Sequence, residues 1–93
     1  MLQLPATLTQ TTATRCVQDL LATLPTQAGE VRVDATGLGE FDSTALAVLL
    51  AVRREARRLQ RGFAVVGVPA RLADLARLYG IAELLPAAAG APP

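Results

Sequence analysis

The sequence contains no histidine and no lysine, and among its 93 residues it has one cysteine, one tyrosine, two phenylalanines and no tryptophan. Without histidine it lacks the commonest general base, and Cys16 has neither an imidazole to activate it nor a second cysteine to pair with. The same absences leave no ordinary zinc site. Because no paired carboxylates fall in a plausible cleft either, we predict that the protein is not an enzyme and uses no cofactor or metal.

Strong charge of either sign is also missing. Nine arginines are nearly balanced by eight acidic residues, which gives a formal net charge of +1. This balance predicts no general affinity for polyanions, and the shortage of aromatic residues leaves little to stack on nucleic-acid bases. The longest apolar run, residues 45–52, is far shorter than the roughly 18 to 20 residues that cross a bilayer. Residues 1–14 show no secretory pattern, so we expect a cytoplasmic protein with no membrane span and no nucleic-acid partner.

Chain length and composition favour one small domain. A second domain would need about 50 residues or more of its own. Hydrophobic residues make up 52% of the chain, mostly aliphatic, which favours helices packed on a small sheet. We predict that the domain covers residues 1–86 and that residues 87–93, rich in alanine, glycine and proline, form a disordered tail.

Hydrophobic periodicity predicts strands that alternate with helices. The predicted strands are residues 2–4, 30–35 and 63–68, the last buried on both faces, and the predicted helices are residues 12–24, 43–61 and 70–79. Pro25, Gly62 and Gly80 are expected to end the three helices. Residues 81–85 are expected to pack back on the domain. This order implies a small α/β fold with a mostly parallel sheet and right-handed crossovers.

The start of the second predicted helix carries the main functional signal. Either Asp42 or Ser43 is the expected N-terminal cap, and capping alone would explain both residues. If Asp42 caps, the Ser43 hydroxyl faces solvent. A phosphate there would meet free backbone N–H groups and the helix dipole.

The face of this helix opposite its core side is predicted to change from apolar to basic. At about 100° per residue, the core face holds Ala45, Val48, Leu49, Val52, Ala56 and Leu59. The opposite face begins with Ser43, Ala47, Leu50 and Ala51, flanked by Thr44 and Leu46. We interpret it as a docking patch, although packing against another element of the domain would also explain it.

Arginines dominate the second half of the same face. They are Arg54, Arg57, Arg58 and Arg61, with Arg53 nearby and only Glu55 to offset them. A solvated helix face is the simplest interpretation, and an acidic partner surface or inner-leaflet phospholipid are the alternatives.

A glycine pair, Gly37 and Gly39, follows the second predicted strand in the manner of a phosphate-binding loop. Asp42 stands where such a loop needs its third glycine, and both Glu40 and Asp42 would repel phosphate. The sequence therefore argues against nucleotide binding at this loop.

The segment around Ser43 resembles the signature of STAS domains, and the resemblance extends over residues 2–86. The segment reads Phe41-Asp42-Ser43-Thr44-Ala45-Leu46-Ala47-Val48-Leu49-Leu50. Anti-sigma factor antagonists of this family carry Asp-Ser-Ser/Thr-Gly-Leu-Gly, in which the serine after the aspartate is phosphorylated. Ser43 matches that serine, whereas Ala45 and Ala47 replace glycines that the family favours.

The C-terminal part is more similar to the MlaB-like STAS subunit of the Mla phospholipid transporter. The resemblance rests on Leu72-Ala73-Asp74-Leu75-Ala76-Arg77-Leu78-Tyr79-Gly80-Ile81, followed by Leu84-Leu85-Pro86. It implies a non-catalytic regulator, peripheral to the inner membrane, that docks on the ATPase of an ABC complex moving phospholipid between the envelope membranes. The residue at the Ser43 position would lie in the contact surface. The expected partner-binding residues are Asp42, Ser43, Thr44, Leu46, Ala47, Leu50, Ala51 and Arg54.

Two further expectations come with the resemblance. The anti-sigma branch implies a different partner, an anti-sigma factor serine kinase that phosphorylates Ser43. STAS domains also usually begin with an extra strand before the one at residues 2–4, and we expect this strand to be absent here. The open sheet edge would then favour a homodimer or a strand from a partner.

Overall fold

Strands and helices alternate along the residues that the structure, a computed structural model, describes, which are 2–24 and 29–85. The elements are β1 (Leu2–Gln3), β2 (Thr7–Leu8), α1 (Ala13–Thr23), β3 (Val31–Asp34), β4 (Glu40–Phe41), α2 (Thr44–Arg58), β5 (Phe63–Val66) and α3 (Ala70–Leu78), followed by a 3-10 turn, Ala82–Leu84. The predicted small α/β fold is confirmed. The predicted helix stop at Pro25 and the predicted tail at residues 87–93 lie outside the described residues.

The main sheet is parallel and has the order β1-β3-β5, so β1 and β5 are its outer strands among the described residues. Val31 and Val33 in the central strand are fully buried, while Arg32 and Asp34 are half-buried, as expected from side chains that point alternately to opposite faces. The prediction that the last strand is buried on both faces holds for its middle, where the adjacent Ala64 and Val65 are buried. Phe63 and Val66 at its ends are half-buried, and β5 is an outer strand of the sheet among the described residues.

A second, two-stranded sheet was not predicted. β2 and β4 pair in parallel, with Thr7 opposite Glu40 and Leu8 opposite Phe41. The carbonyl of Ala6 strengthens this contact, because it accepts hydrogen bonds from the backbone N–H groups of Gly39, at 2.8 Å, and Glu40, at 2.9 Å. The N-terminal segment is thereby tied to the chain just ahead of α2.

Helix α2 ends earlier than predicted. The sequence predicted a stop at Gly62, but the left-handed residue is Gln60, with φ of 57°. Around it the Gln60 N–H donates to the Arg57 carbonyl at 2.9 Å, and the Arg61 N–H donates to the Ala56 carbonyl at 2.8 Å. These two bonds form a Schellman motif, which satisfies carbonyls at the helix end.

Gly80 caps the end of helix α3, as predicted, with the same pair of bonds around a glycine at φ of 72°. Tyr79, just before it, is 56% exposed. The helix ends at Leu78, so Tyr79 lies in the capping turn, where its side chain leaves the core face. The prediction that residues 81–85 pack back is confirmed by Leu85, which is buried.

The core is aliphatic and lies between the main sheet and the helices. Its most deeply buried large side chains are Leu8, Leu24, Leu49, Leu72, Val31, Val33, Val48, Val52 and Val65. Helix α2 is central, since it contacts α1, α3 and β5. Its predicted core face is confirmed: Ala45, Val48, Leu49, Val52 and Ala56 are buried, and Leu59 is half-buried.

Candidate functional site

The start of α2 is capped by Asp42 and not by Ser43. Oδ1 of Asp42 accepts a hydrogen bond from the Thr44 N–H at 2.8 Å, and Oδ2 accepts a longer one from the Gln10 N–H at 3.4 Å. Ser43 occupies the N-cap position by chain order, but its side chain makes no capping hydrogen bond and the residue is exposed. Of the two caps considered from the sequence, the structure selects the one that leaves the Ser43 hydroxyl facing outward.

Hydrogen bonding lowers the pKa of Asp42 below its ordinary value. The largest cause is the side chain of Thr44, followed by the Thr44 backbone N–H, with a smaller contribution from the Gln10 N–H. All of these donors favour the charged carboxylate. Asp42 therefore remains an anion beside Ser43 well into the acidic range.

Arg71 fixes the residue immediately before Asp42. Its Nη2 donates to the Phe41 carbonyl at 3.0 Å, and its guanidinium lies 4.6 Å from the centre of the Phe41 ring. Arg71 is in the first turn of α3, so this helix helps to position the start of α2. Sequence reasoning missed Arg71, because no pattern connects it with a strand 30 residues earlier.

The predicted partner-binding residues differ in exposure. Asp42, Ser43, Ala47 and Arg54 are exposed, and Thr44, Leu50 and Ala51 are half-buried. The expectation that Leu46 borders an exposed patch is wrong, because Leu46 is only 3% exposed and belongs to the core cluster. Neighbouring elements pack on several sides of α2, so the buried part of this helix is wider than a single core face.

A groove between α1 and α2 lies beside the exposed residues. It has a volume of about 290 Å³ and is lined by Ala13, Thr14, Val17 and Gln18 from α1 and by Thr44, Ala47 and Val48 from α2. The α1 contribution was not predicted. The signal in the sequence was the spacing of Thr14, Val17 and Gln18, which places these residues on one side of the first helix.

The basic half of α2 is less uniform than the sequence suggested. Arg58 forms an ion pair with Glu55 and lowers the pKa of that carboxyl group. Arg61 was counted as a surface residue, but it is structural. Its Nε donates to the Gly29 carbonyl at 2.6 Å, and its Nη1 donates to the Leu24 carbonyl at 2.7 Å. Arg61 thus ties the end of α2 to the end of α1.

The glycine pair after β3 does not form a phosphate loop. The N–H groups of Gly39 and Glu40, which a bound phosphate would need, both donate to the Ala6 carbonyl. This part of the chain instead pairs with the N-terminal segment through β2 and β4 and leads into the start of α2.

Within residues 2–24 and 29–85, no group of three or more potential ligand side chains is placed to hold a metal ion. Burial is the main cause that raises the pKa of the Cys16 thiol, with a further contribution from the charge of Asp19. A raised pKa keeps the thiol protonated, which disfavours a role as nucleophile. None of the helices in the described part of the chain has the length and apolar character needed to cross a membrane.

Acid is expected to remove the stabilisation that Asp42 supplies. Since its folded-state pKa lies below the ordinary value of 3.8, the stabilisation is fully present above 3.8 and is lost as the pH falls through the lower folded-state pKa. Chemical unfolding between about pH 2 and pH 7 measures this dependence. Asp42→Asn should lose less stability on acidification than the wild type, and Thr44→Val should show an intermediate loss. An Asp42→Asn protein with the wild-type acid dependence would contradict the assignment.

A parallel-sheet α/β domain, with an Asp-Ser-Thr segment whose Asp42 and Ser43 are exposed at the start of a central helix, is the arrangement expected of a STAS domain. Comparison with protein families agrees: the family model described as "Mlab, STAS domain" matches residues 1–86. The chain therefore belongs to the STAS domain family, and the matching model is of the MlaB type. Comparison with curated proteins returns no match.

Proposed function

We propose that this chain is a non-catalytic, cytoplasmic STAS subunit that binds and regulates the ATPase of an ABC-type intermembrane phospholipid transporter of the Mla kind. The observation that carries the proposal is the exposed start of α2 beside the α1–α2 groove, in a chain of the MlaB type. A STAS subunit in such a complex acts through contact with its partner, so the relevant chemistry is that of a docking surface.

We define the α1–α2 docking surface as Asp42, Ser43, Thr44, Ala47, Leu50, Ala51 and Arg54 of α2 and its cap, with Thr14, Val17 and Gln18 of α1. Leu46 is left out because it is buried. From Ser43 to Arg54 the surface runs about 17 Å along the helix, at about 1.5 Å per residue. That length accommodates about three turns of a helix from a partner.

The composition of this surface suits close protein contact. Ser43 and Ala47 have small, exposed side chains that allow a partner backbone to approach, and the half-buried Leu50 adds apolar area. The exposed charges stand at opposite ends, with Asp42 at the start and Arg54 at the far end. Charges at the rim contribute mainly to orientation, whereas the apolar centre contributes most of the affinity.

One observation favours a second candidate, an anti-sigma factor antagonist switched by phosphorylation of Ser43. The exposed Ser43 side chain makes no capping hydrogen bond, so a kinase would find it accessible. A phosphate would add about −1.5 to −2 charges at this position. Next to the Asp42 carboxylate, that charge would change the electrostatics of the whole docking surface.

Ala47→Glu should abolish capture of the Mla-type ATPase from the same organism while leaving the fold intact. Ala47 is exposed, so the fold tolerates glutamate, but docking would bury an unpaired charge. We expect binding to weaken by at least about 30-fold, measured by co-purification and by titration of the purified ATPase. Ser43→Glu should act in the same direction.

Ala82→Glu is the matched control, because Ala82 is also an exposed alanine but lies on the 3-10 turn outside the docking surface. It should bind the ATPase as the wild type does, and all variants should keep the wild-type melting curve. If Ala47→Glu still captured the ATPase, the assignment of the α1–α2 docking surface would be contradicted. If the wild type did not capture the ATPase, the anti-sigma factor antagonist function would be favoured. Phosphorylation of Ser43 in vitro by an anti-sigma factor serine kinase would then test that function.

A further inference from the structure

A second concave feature lies at the opposite end of α2 from Ser43. It has a volume of about 250 Å³, and the described residues that line it are Arg53, Arg57, Arg61, Gly62, Phe63 and Glu83. We call it the arginine pocket. Three arginines therefore line one small space, together with the half-buried Phe63 as its apolar wall.

The positive charge of this pocket is only partly balanced by its own lining. Among the described residues, the ion pairs involve Arg32, Arg58 and Arg77, and none involves a pocket arginine. Arg61 donates to two backbone carbonyls, which hold its guanidinium in place but carry no formal charge to cancel it. Its Nη2 is buried without an acceptor in the described part of the chain. Glu83 is the single carboxylate on the lining, against three guanidinium groups.

An anion is the ligand that such a pocket suits. Guanidinium groups bind carboxylates and phosphates through paired N–H donors, and they do so more strongly where the groups are held in place. The available volume fits a group of side-chain size, since sites for drug-sized small molecules occupy about 300 to 1,000 Å³. The ligand is therefore expected to be one anionic group, presented by something larger.

The observations favour a carboxylate on a protein over a membrane surface, because the pocket continues the docking surface along α2. Helices that bind membranes place large apolar side chains beside their basic ones. Here the large apolar side chains that stand exposed among the described residues are Leu78 and Tyr79 at the end of α3, and neither lines the pocket.

We propose that the arginine pocket binds a carboxylate side chain from an acidic segment of a partner protein. Arg57 lies one turn beyond Arg54, the last residue of the docking surface, so one protein lying along α2 reaches both sites. The inference rests on the proposed function only in taking the partner to be a protein that docks along this helix. The anion site itself is a property of this chain alone, and the chain alone tests it.

The test is a titration of the full chain, labelled with ¹⁵N, with a short peptide of alternating glutamate and glycine. The readouts are the Nε–Hε signals of Arg53, Arg57 and Arg61, with a glutamine–glycine peptide, inorganic phosphate and phosphatidylglycerol vesicles as comparison ligands. We expect the acidic peptide alone to shift these signals. Arg57→Gln should weaken its binding by about 10-fold or more.

Arg77→Gln is the matched control, because it removes the same charge from an exposed arginine on α3, outside the pocket. It should change binding by less than about 2-fold, as expected for long-range charge alone. Arg53→Gln is a second pocket variant, and each variant is checked for a wild-type melting curve.

Several results would overturn the proposal: equal weakening by Arg57→Gln and Arg77→Gln, binding of phosphate or vesicles but not of the peptide, or no binding of the peptide up to its solubility limit. The two proposals fail separately. Peptide binding is expected to survive Ala47→Glu. Capture of the ATPase without peptide binding would contradict only the arginine pocket, and peptide binding without capture would contradict only the transporter function.

Discussion

Leu49→Ala is expected to lower the free energy of unfolding by about 2 to 5 kcal/mol. Leu49 has no exposed surface and lies on the core side of α2, the helix that contacts α1, α3 and β5. Truncation removes buried methyl groups and leaves a cavity that the surrounding side chains fill only in part. Small domains are stable by only about 5 to 15 kcal/mol, so this loss is a large fraction of the total.

The adjacent Leu50→Ala is the control for this prediction. It is the same chemical change on the same helix, but Leu50 is half-buried, so less apolar contact is lost. Unfolding by urea should show a clearly smaller loss for Leu50→Ala. Because Leu50 belongs to the docking surface, this variant should instead weaken binding of the ATPase. Equal loss of stability in the two variants would contradict the assignment of Leu49 to the core and Leu50 to the surface.

Gly67→Ala is expected to destabilise the fold by about 2 to 5 kcal/mol, for two reasons that add. Gly67 has φ of 67°, a left-handed conformation that disfavours a Cβ atom. A Cβ placed there would also overlap with Cγ2 of Thr36 and lie 3.2 Å from the Thr36 Cβ. Thr36 cannot easily move away, because its hydroxyl and its N–H both donate to Oδ1 of Asp34, at 2.6 and 2.9 Å.

Gly80→Ala separates these two reasons. Gly80 has a similar φ of 72°, but a Cβ there would meet nothing within 4 Å. Gly80→Ala should therefore lower the free energy of unfolding only through backbone strain, by about 1 kcal/mol. Thermal and urea unfolding of both variants measure the difference. If the two substitutions lowered the free energy of unfolding equally, the collision with Thr36 would contribute nothing. That result would contradict the close approach of Gly67 to Thr36.

Periodicity was sufficient to predict the elements that form the core. The strands of the main sheet and all three helices carry regular apolar patterns, and these patterns survive in the fold because each element buries one side. β2 and β4 were missed because neither segment carries a recognisable alternation of apolar and polar residues. They form through contacts between distant parts of the chain, notably the Ala6 carbonyl and the pair of N–H groups that it accepts.

The end of α2 shows a similar limit. Gly62 was the natural choice for a left-handed residue, since glycine adopts that conformation without strain. The chain turns two residues earlier, at Gln60, where Arg61 reaches the Leu24 and Gly29 carbonyls across more than 30 residues of sequence. Contacts of this range hold the turn that ends the helix, and no local sequence pattern predicts them.

The candidate site was predictable where it depended on local chemistry. The first turn of a helix left Asp42 and Ser43 as alternative caps, with an outward Ser43 hydroxyl if Asp42 capped, and the structure shows the first alternative. The burial of Leu46, the groove wall from α1 and the support from Arg71 depend on how other elements pack against α2. These features needed the three-dimensional structure. The roles of these residues in partner binding remain predictions that the experiments above test.

Three contacts hold the exposed beginning of α2, and they come from different parts of the chain. The Ala6 carbonyl binds the segment just before it, the Gln10 N–H reaches Asp42, and Arg71 holds the Phe41 carbonyl. The conformational entropy cost of ordering this segment therefore arises when the domain folds and not when a partner binds. A protein that binds here meets a rigid, pre-organised helix end, so more of its interaction energy is retained as affinity.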